Sequence, residues 1–172
     1  NVIVKTIPLK HRIYTNGFLF QEKFTERKLD INAVLNYEID QVYYQKIKYG
    51  GDITLEDGRV IPNSELTFDP EPSKSYAFCS DTLYNEEMLP IIQDVDVLYH
   101  ESTFLETEAA LAQKTMHSTA KEAARIALKA NAKNLVLGHY STRYESILKF
   151  KEEAETIFPN VLLGNDGESF SF

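Results

Sequence analysis

Short apolar segments alternate with helical patterns in the second half of the chain, and this alternation constrains the fold more than any other feature. The runs at 76–79, 95–99 and 134–138 are apolar and have the length of strands. The segments 119–130 and 145–158 instead show the residue spacing of amphipathic helices. Because strands that alternate with helices build layered structures, we expect an α/β fold.

Caps and turns set the limits of the expected elements. Thr119 and Glu122 have the spacing of a capping box that opens the helix at 119–130. Pro159 ends the helix at 145–158. The other expected elements are strands at 2–7, 17–21, 161–163 and 169–172, a hairpin joining 53–55 to 59–61, and helical segments near 30–37, 41–48 and 86–92.

Composition restricts the class of protein. The 172 residues carry 18 Lys and Arg against 26 Asp and Glu, so the charge of −8 argues against binding nucleic acid through overall charge alone. A single cysteine excludes an intramolecular disulfide framework and suits a reducing compartment. No apolar run reaches the roughly 20 residues of a membrane helix, so we expect no membrane partner. The length fits one domain or one lobe of a larger one.

Polar side chains follow three of the expected strands. Asp81 comes after the first, His100 and Glu101 after the second, and His139 after the third. Ligand sites of α/β proteins collect at the carboxyl ends of strands, so these side chains are expected at one edge of the sheet. His11 falls in an early turn between strands.

Imidazole nitrogens and carboxylate oxygens are ligands that suit zinc. His11, Asp81 and His139 are therefore candidate ligands of one metal site. Taken singly, each has an ordinary structural alternative, because a histidine at a strand end often packs or caps and an aspartate before threonine often forms a turn. Spacing alone leaves both interpretations open.

Five motifs occur in a fixed order along the chain. They are Lys10-His11, Cys79-Ser80-Asp81-Thr82, Tyr99-His100-Glu101-Ser102-Thr103-Phe104, Met116-His117-Ser118-Thr119 and Gly138-His139-Tyr140-Ser141-Thr142-Arg143-Tyr144. In this order and at these separations, the motifs resemble the ribonuclease Z family, tRNA 3′-processing endonucleases of the metallo-β-lactamase superfamily. The segments 44–48 and 54–59 are also similar to that family.

The resemblance implies a role for each matching residue. His11 matches a ligand of one of two zinc ions, Asp81 the aspartate that bridges both ions, and His139 a ligand of the other ion. His117 matches the histidine that stabilises the scissile phosphate and protonates the leaving oxygen. Glu101 matches the glutamate that orients this histidine, and the alternative for the pair is an ordinary structural ion pair.

The segment 22–66 matches the family's protruding tRNA-binding arm. Acidic residues outnumber basic ones in it, and the Gly-Pro turn common in the family is replaced by Asp40-Gln41-Val42-Tyr43. Any affinity for RNA phosphates then depends on how individual lysines cluster, with Lys46 and Lys48 as the expected contacts. Arg143 is a further candidate, for which phosphate contact and structural pairing both stay open.

The His-x-His-x-Asp-His motif of the superfamily is absent from the sequence. We therefore expect residues 1–172 to be the C-terminal lobe of a metallo-β-lactamase-type αββα sandwich with an inserted exosite arm. The implied function of the intact parent is a zinc-dependent, cytoplasmic endoribonuclease that removes 3′ trailers from tRNA precursors, with two zinc ions per subunit and a homodimeric assembly. The lobe alone is expected to be inactive and to expose an apolar sheet face. The alternatives are another hydrolase of the superfamily and a non-catalytic assembly fragment.

Overall fold

A computed structural model describes residues 2–172 of the chain, which divide into two compact units. Unit 1 contains the residues up to Glu22 together with Lys74–Phe172, and unit 2 contains Lys23–Ser73. Over the described residues the strands are β1 (Val2–Leu9), β2 (Thr15–Glu22), β3 (Lys28–Leu29), β4 (Ile53–Thr54), β5 (Val60–Ile61), β6 (Thr67–Phe68), β7 (Ser75–Cys79), β8 (Val97–Glu101), β9 (Asn134–Gly138) and β10 (Val161–Leu163). The helices are α1 (Ile31–Asn36), α2 (Tyr44–Lys48), α3 (Asn63–Leu66), α4 (Leu89–Ile92), α5 (Ala109–Thr115), α6 (Ala120–Lys129) and α7 (Leu148–Glu155), with 3₁₀ turns at Gln41–Tyr43, Glu86–Met88 and Glu106–Glu108.

Unit 1 is built on one six-stranded sheet in the order β1-β2-β7-β8-β9-β10. Strand β2 is antiparallel to both of its neighbours, β1 and β7, whereas β7, β8, β9 and β10 run parallel to one another. The parallel half arises because a helical segment follows each strand and returns the chain to the same end of the sheet. The α/β expectation is therefore confirmed.

Helices α6 and α7 bury one face of this sheet. Alternate strand residues such as Ala77, Leu98 and Leu135 are fully buried, and they share one core with Ile126 of α6 and Phe150 of α7. Each fully buried Leu, Ile or Phe side chain contributes about 1.5–3 kcal/mol relative to exposure. This packing fixes the positions at which the strands end.

The opposite face of the sheet is aromatic and only partly covered. The rings of Phe78 and Tyr99 stack with centroids 4.7 Å apart, and Phe18 and Phe20 remain 39% and 37% exposed. An open cavity of about 760 Å³ lies at the other end of this face, between Val136 and the C-terminal residues. The exposed apolar face was expected over the strands at 76–79, 95–98 and 135–137, but Val97 and Val136 are buried there. The exposed apolar side chains lie on β1 and β2 instead.

Several element limits differ from the expected ones. Strand β8 runs over Val97–Glu101 instead of 95–99, because His100 pairs in register with Cys79 and Leu137 and so continues the ladder. Helix α7 spans Leu148–Glu155 and is shorter than 145–158. The segment 169–172 forms no strand, since no strand within residues 2–172 pairs with it.

Unit 2 has its own small core. Val34, Ile47 and Leu66 are fully buried, and the Asn63 side-chain amide donates to the carbonyl of Ile47 over 2.7 Å. The expected arm, 22–66, lies mostly within this unit, which continues to Ser73 because β6 pairs with β3. Neither this strand pair nor helices α3 and α5 were expected from the sequence.

No helix within residues 2–172 is both long and apolar enough to cross a bilayer.

Candidate metal centre and its hydrogen-bond network

Four segments of unit 1 bring polar side chains to the carboxyl edge of the sheet. His11 lies in the turn after β1, Asp81 follows β7, Glu101 ends β8 and His139 follows β9. His117 comes from the loop before α6. Because β1, β7, β8 and β9 all point the same way, their C-terminal ends share one edge.

These side chains form a compact cluster. Asp81, Glu101, His117 and His139 each offer one ligand atom, and these atoms all lie within 4.8 Å of one another. The closest approach between Asp81 and His139 is 3.3 Å, from Oδ1 to Nε2. His11 lies beside the group, with its ring centroid 4.9 Å from that of His117. The five residues expected to bind metal or to act in acid–base chemistry are therefore neighbours in unit 1.

Glu101 is the centre of the hydrogen-bond network. Its side chain is fully buried. Oε1 accepts from the Thr82 amide over 2.8 Å and from Nδ1 of His117 over 2.7 Å. Oε2 accepts from the Thr103 hydroxyl, the Thr103 amide and the Ser118 amide over 2.6, 3.2 and 3.1 Å. A buried carboxylate is stable only with such partners, so the network allows the charge to be buried.

The same contacts join three loops. The Thr82 amide belongs to the loop that carries Asp81, and the Ser118 amide belongs to the loop that carries His117. Thr103 lies directly after β8. Glu101 therefore holds the loops of the cluster together in addition to holding His117. The two interpretations of the Glu101–His117 pair, structural ion pair and orienting contact, are compatible in this geometry.

Three histidines share one hydrogen-bond pattern. Nδ1 of His11 lies 2.9 Å from the Met116 carbonyl, and Nδ1 of His117 lies 2.7 Å from the Glu101 carboxylate. Since carbonyl and carboxylate oxygens only accept, Nδ1 is the donor in both rings. Nδ1 of His139 contacts the Thr103 hydroxyl over 2.9 Å. In all three rings Nδ1 is the nitrogen that a protein oxygen engages, which leaves Nε2 for another partner, as in metal-binding histidines.

The backbone is strained at the same edge. Asp81, Met116 and His139 have φ angles of 57°, 60° and 60°. This left-handed region is unfavourable for residues other than glycine and costs of order 1–3 kcal/mol each. The conformation turns the chain sharply after β7 and β9, and the side chains of Asp81 and His139 emerge at the ends of those strands.

The donor set fits a divalent metal such as zinc. Asp81 supplies a carboxylate and His11 and His139 supply free Nε2 lone pairs, whereas Glu101 already accepts from its five protein donors. Side-chain exposure is 44% for Asp81 and 41% for His139 but 16% for His117. The candidate ligands thus remain open to an incoming ion, while His117 is more enclosed.

The expected substrate contacts lie in different places. Arg143 packs its guanidinium over the Phe104 ring, 5.1 Å from the centroid, and Nη1 lies 3.8 Å from Glu108. Lys46 and Lys48 belong to α2 of unit 2, where the Lys48 ammonium lies 3.6 Å from Glu26. Arg143 is thus structurally paired, and its contact with phosphate stays a prediction.

Sequence reasoning did not assign roles to Thr103, Met116 or His100. Thr103 and His100 stand inside a recognised motif, but only the side-chain contacts distinguish them from their neighbours. His100 is fully buried, and its Nδ1 donates to the Glu101 carbonyl over 2.7 Å. Its Nε2 has no hydrogen-bond partner among residues 2–172, and burial lowers the pKa of the ring.

The chain is similar to curated proteins over nearly its whole length. No protein-family model matches the chain. A Parabacteroides distasonis protein named Ribonuclease Z is 48% identical over 168 residues, which cover 98% of this chain and 55% of that protein. The chain spans about half the length of the curated relatives it matches.

Solved structures agree on the fold. The metallo-β-lactamase fold protein YhfI from Bacillus subtilis matches 96% of this chain and 48% of its own, with a TM-score of 0.61 and 16% identity. The short form of human tRNase Z matches 99% of this chain and 43% of its own, with a TM-score of 0.54 and 21% identity. The chain is therefore a homologue of ribonuclease Z over the half of those relatives that it matches, and it has the metallo-β-lactamase fold.

Proposed function

We propose that the intact protein is a zinc-dependent endoribonuclease that removes 3′ trailers from tRNA precursors. The carrying observation is the cluster in which Asp81, His117 and His139 lie together, while Nδ1 of His11, His117 and His139 is in each case engaged by a protein oxygen. The ribonuclease Z name of the relatives supports the choice of reaction.

In this proposal His11, Asp81 and His139 would be ligands for two zinc ions in each subunit. Bound zinc lowers the pKa of a coordinated water to about 7 and neutralises phosphate charge. Three protein ligands are fewer than two zinc sites need, because even one structural site normally takes four. The other ligands therefore come from outside this chain, in line with the greater length of the relatives.

His117 is the proposed general acid. Its Nδ1 is held by the buried Glu101 carboxylate, which fixes the orientation of the ring and directs Nε2 away from the carboxylate. From Nε2 the ring can donate a proton to the leaving oxygen, and in the charged form it stabilises the negative phosphate. Glu101 contributes by holding the ring in place.

The proposed substrate is a precursor tRNA, and the proposed cellular location is the cytoplasm. Unit 2 is the proposed RNA-binding arm, with Lys46 and Lys48 as phosphate contacts. Arg143 is a third proposed phosphate contact. To bind RNA, its guanidinium has to leave the Glu108 carboxylate and contact a phosphate instead. A homodimer, with each subunit complete in both halves, is the proposed assembly.

Cleavage assays of the full-length protein test this function. With zinc present, it should release the 3′ trailer from a precursor tRNA, and removal of zinc by a chelator should abolish the reaction. The 172-residue chain alone should not cleave, because its ligand set is incomplete. A full-length protein that binds zinc but cleaves only other phosphodiesters or thioesters would favour another hydrolase of the superfamily. A full-length protein that lacks any hydrolase activity would favour an assembly module.

A further inference from the structure

We propose that Thr103 is a positioning residue whose hydroxyl fixes the tautomer of His139 and links that ring to Glu101. This inference rests on the proposed function, because it assumes that Nε2 of His139 binds a metal ion. It concerns a side chain that would neither bind the metal nor touch the substrate.

The direction of both hydrogen bonds follows from counting protons. The Thr103 hydroxyl has one hydrogen, and its oxygen lies 2.6 Å from Oε2 of Glu101. A carboxylate only accepts, so the hydroxyl donates there. The same oxygen lies 2.9 Å from Nδ1 of His139 and has no second hydrogen to give. Nδ1 of His139 must therefore carry the hydrogen, and Nε2 carries the lone pair.

The tautomer matters because only an unprotonated nitrogen can bind a metal ion. A neutral imidazole otherwise exchanges its proton between the two nitrogens, and a partner on one of them selects the form. Thr103 selects the form whose free lone pair lies on the side of Asp81, where Nε2 is 3.3 Å from Oδ1. The proposed ligand is thus prepared before the ion arrives.

The link also joins the two proposed halves of the chemistry. Oε1 of Glu101 accepts from His117, the proposed acid, and Oε2 accepts from Thr103, which holds His139. One buried carboxylate therefore sets the positions of both rings, whose centroids are 5.3 Å apart. Loss of the hydroxyl should release His139 and leave the contact between Glu101 and His117 intact.

Substitution by valine isolates the hydroxyl. Thr103→Val keeps the branched shape of the side chain and the hydrogen bond from the backbone amide to Glu101. It also keeps the backbone carbonyl that accepts from the Ser141 amide over 3.1 Å. Thr103→Ser keeps the hydroxyl and loses only the methyl group. Thr156→Val is the matched control, because it removes a threonine hydroxyl that bonds the Glu153 carbonyl in unit 1.

The first experiment is zinc titration of the full-length protein against a competing chelator. Removal of a hydrogen-bond partner behind a metal-binding histidine typically weakens binding about 10–100-fold. Thr103→Val should show a loss of this size, whereas Thr103→Ser and Thr156→Val should bind zinc like the wild type. Wild-type affinity in folded Thr103→Val would overturn the inference, and failure of the wild type to bind zinc would overturn the proposed function instead.

The second experiment reads the tautomer without any metal. Nitrogen NMR of ¹⁵N-histidine-labelled, zinc-free wild type at alkaline pH should show His139 protonated at Nδ1, with its signals assigned by their loss in His139→Gln. Thr103→Val should show both tautomers. Protonation at Nε2 in the wild type would overturn the inference even if the valine variant does not fold.

Discussion

Glu101 shows how a single residue can organise this site. Five donors from Thr82, His117, Thr103 and Ser118 converge on its two oxygens inside the protein. Sequence comparison implies one role for it, as the partner of His117. The other contacts are invisible in the sequence, because three of them come from backbone amides that any residue type could supply.

Glu101→Ala should therefore destabilise the fold as well as the active site. Removing one partner of a buried charged network typically costs about 3–5 kcal/mol, since the remaining donors lose their acceptor. Urea unfolding of the full-length protein measures this loss. The exposed Glu152→Ala is the control and should change the free energy of unfolding by less than about 0.5 kcal/mol. Equal costs for the two variants would contradict the network.

His100 makes the stability of the folded chain depend on pH. Burial lowers the pKa of this ring, so the folded chain keeps it neutral while the unfolded chain protonates it near pH 6.5. The unfolded state then binds more protons below that pH, and stability falls as the pH drops from about 7 to 5. His100→Asn retains a donor for the Glu101 carbonyl but cannot titrate. Its unfolding free energy should fall less over this range than that of the wild type, and an identical pH profile would refute the assignment.

Among the secondary-structure elements, those with local signals were predicted best. Helix α6 begins after Thr119 as its capping box indicates, and β9 occupies 134–138 as its apolar run indicates. Strand β8 was placed two residues early, because its last two residues are polar and only the pairing with β7 and β9 includes them. The segment 169–172 alternates like a strand, yet a strand requires a neighbour, which a local pattern cannot supply.

The capping box of α6 can be tested on its own. The Thr119 hydroxyl oxygen accepts from the Glu122 amide over 3.2 Å, and the hydroxyl donates to Glu106 over 3.1 Å. Thr119→Ala removes both contacts and should lower the free energy of unfolding by about 1–2 kcal/mol. Thr25→Ala, at an exposed position of unit 2, is the control for threonine loss. A Thr119→Ala variant as stable as this control would show that the cap contributes nothing.

At the scale of the whole molecule, the uncovered sheet face sets the behaviour of the chain. Phe18 and Phe20 are partly exposed, and Val2 and Val4, which lie on the same face of the neighbouring strand, are 51% and 54% exposed. Contiguous apolar surface of this kind marks an interaction site or an aggregation hazard. Strand patterns with apolar residues on both faces are enough to predict that each face of the sheet needs a packing partner. The aromatic stacking and the partial cover by the C-terminal residues depend on the fold.

The isolated 172-residue chain should therefore self-associate. Sedimentation should give a mass above that of one chain, rising with concentration, because association hides the exposed aromatic face. A Phe18→Ser and Phe20→Ser double variant should shift the chain toward monomer. Phe24→Ser, which removes a 69% exposed phenylalanine from unit 2, should not. A wild-type chain that stays monomeric at high concentration would contradict the importance of this face.

In the proposed function, the His117 ring, held by Glu101, supplies a proton during cleavage of a precursor tRNA. Single-turnover cleavage by the full-length protein, with tRNA affinity measured in parallel, tests it most directly. His117→Ala should cleave about 10²–10⁴-fold more slowly, since a positioned acid contributes that much, while tRNA affinity stays close to that of the wild type. A His117→Ala protein that cleaves at the wild-type rate, or that loses tRNA binding in proportion to cleavage, would contradict the claim.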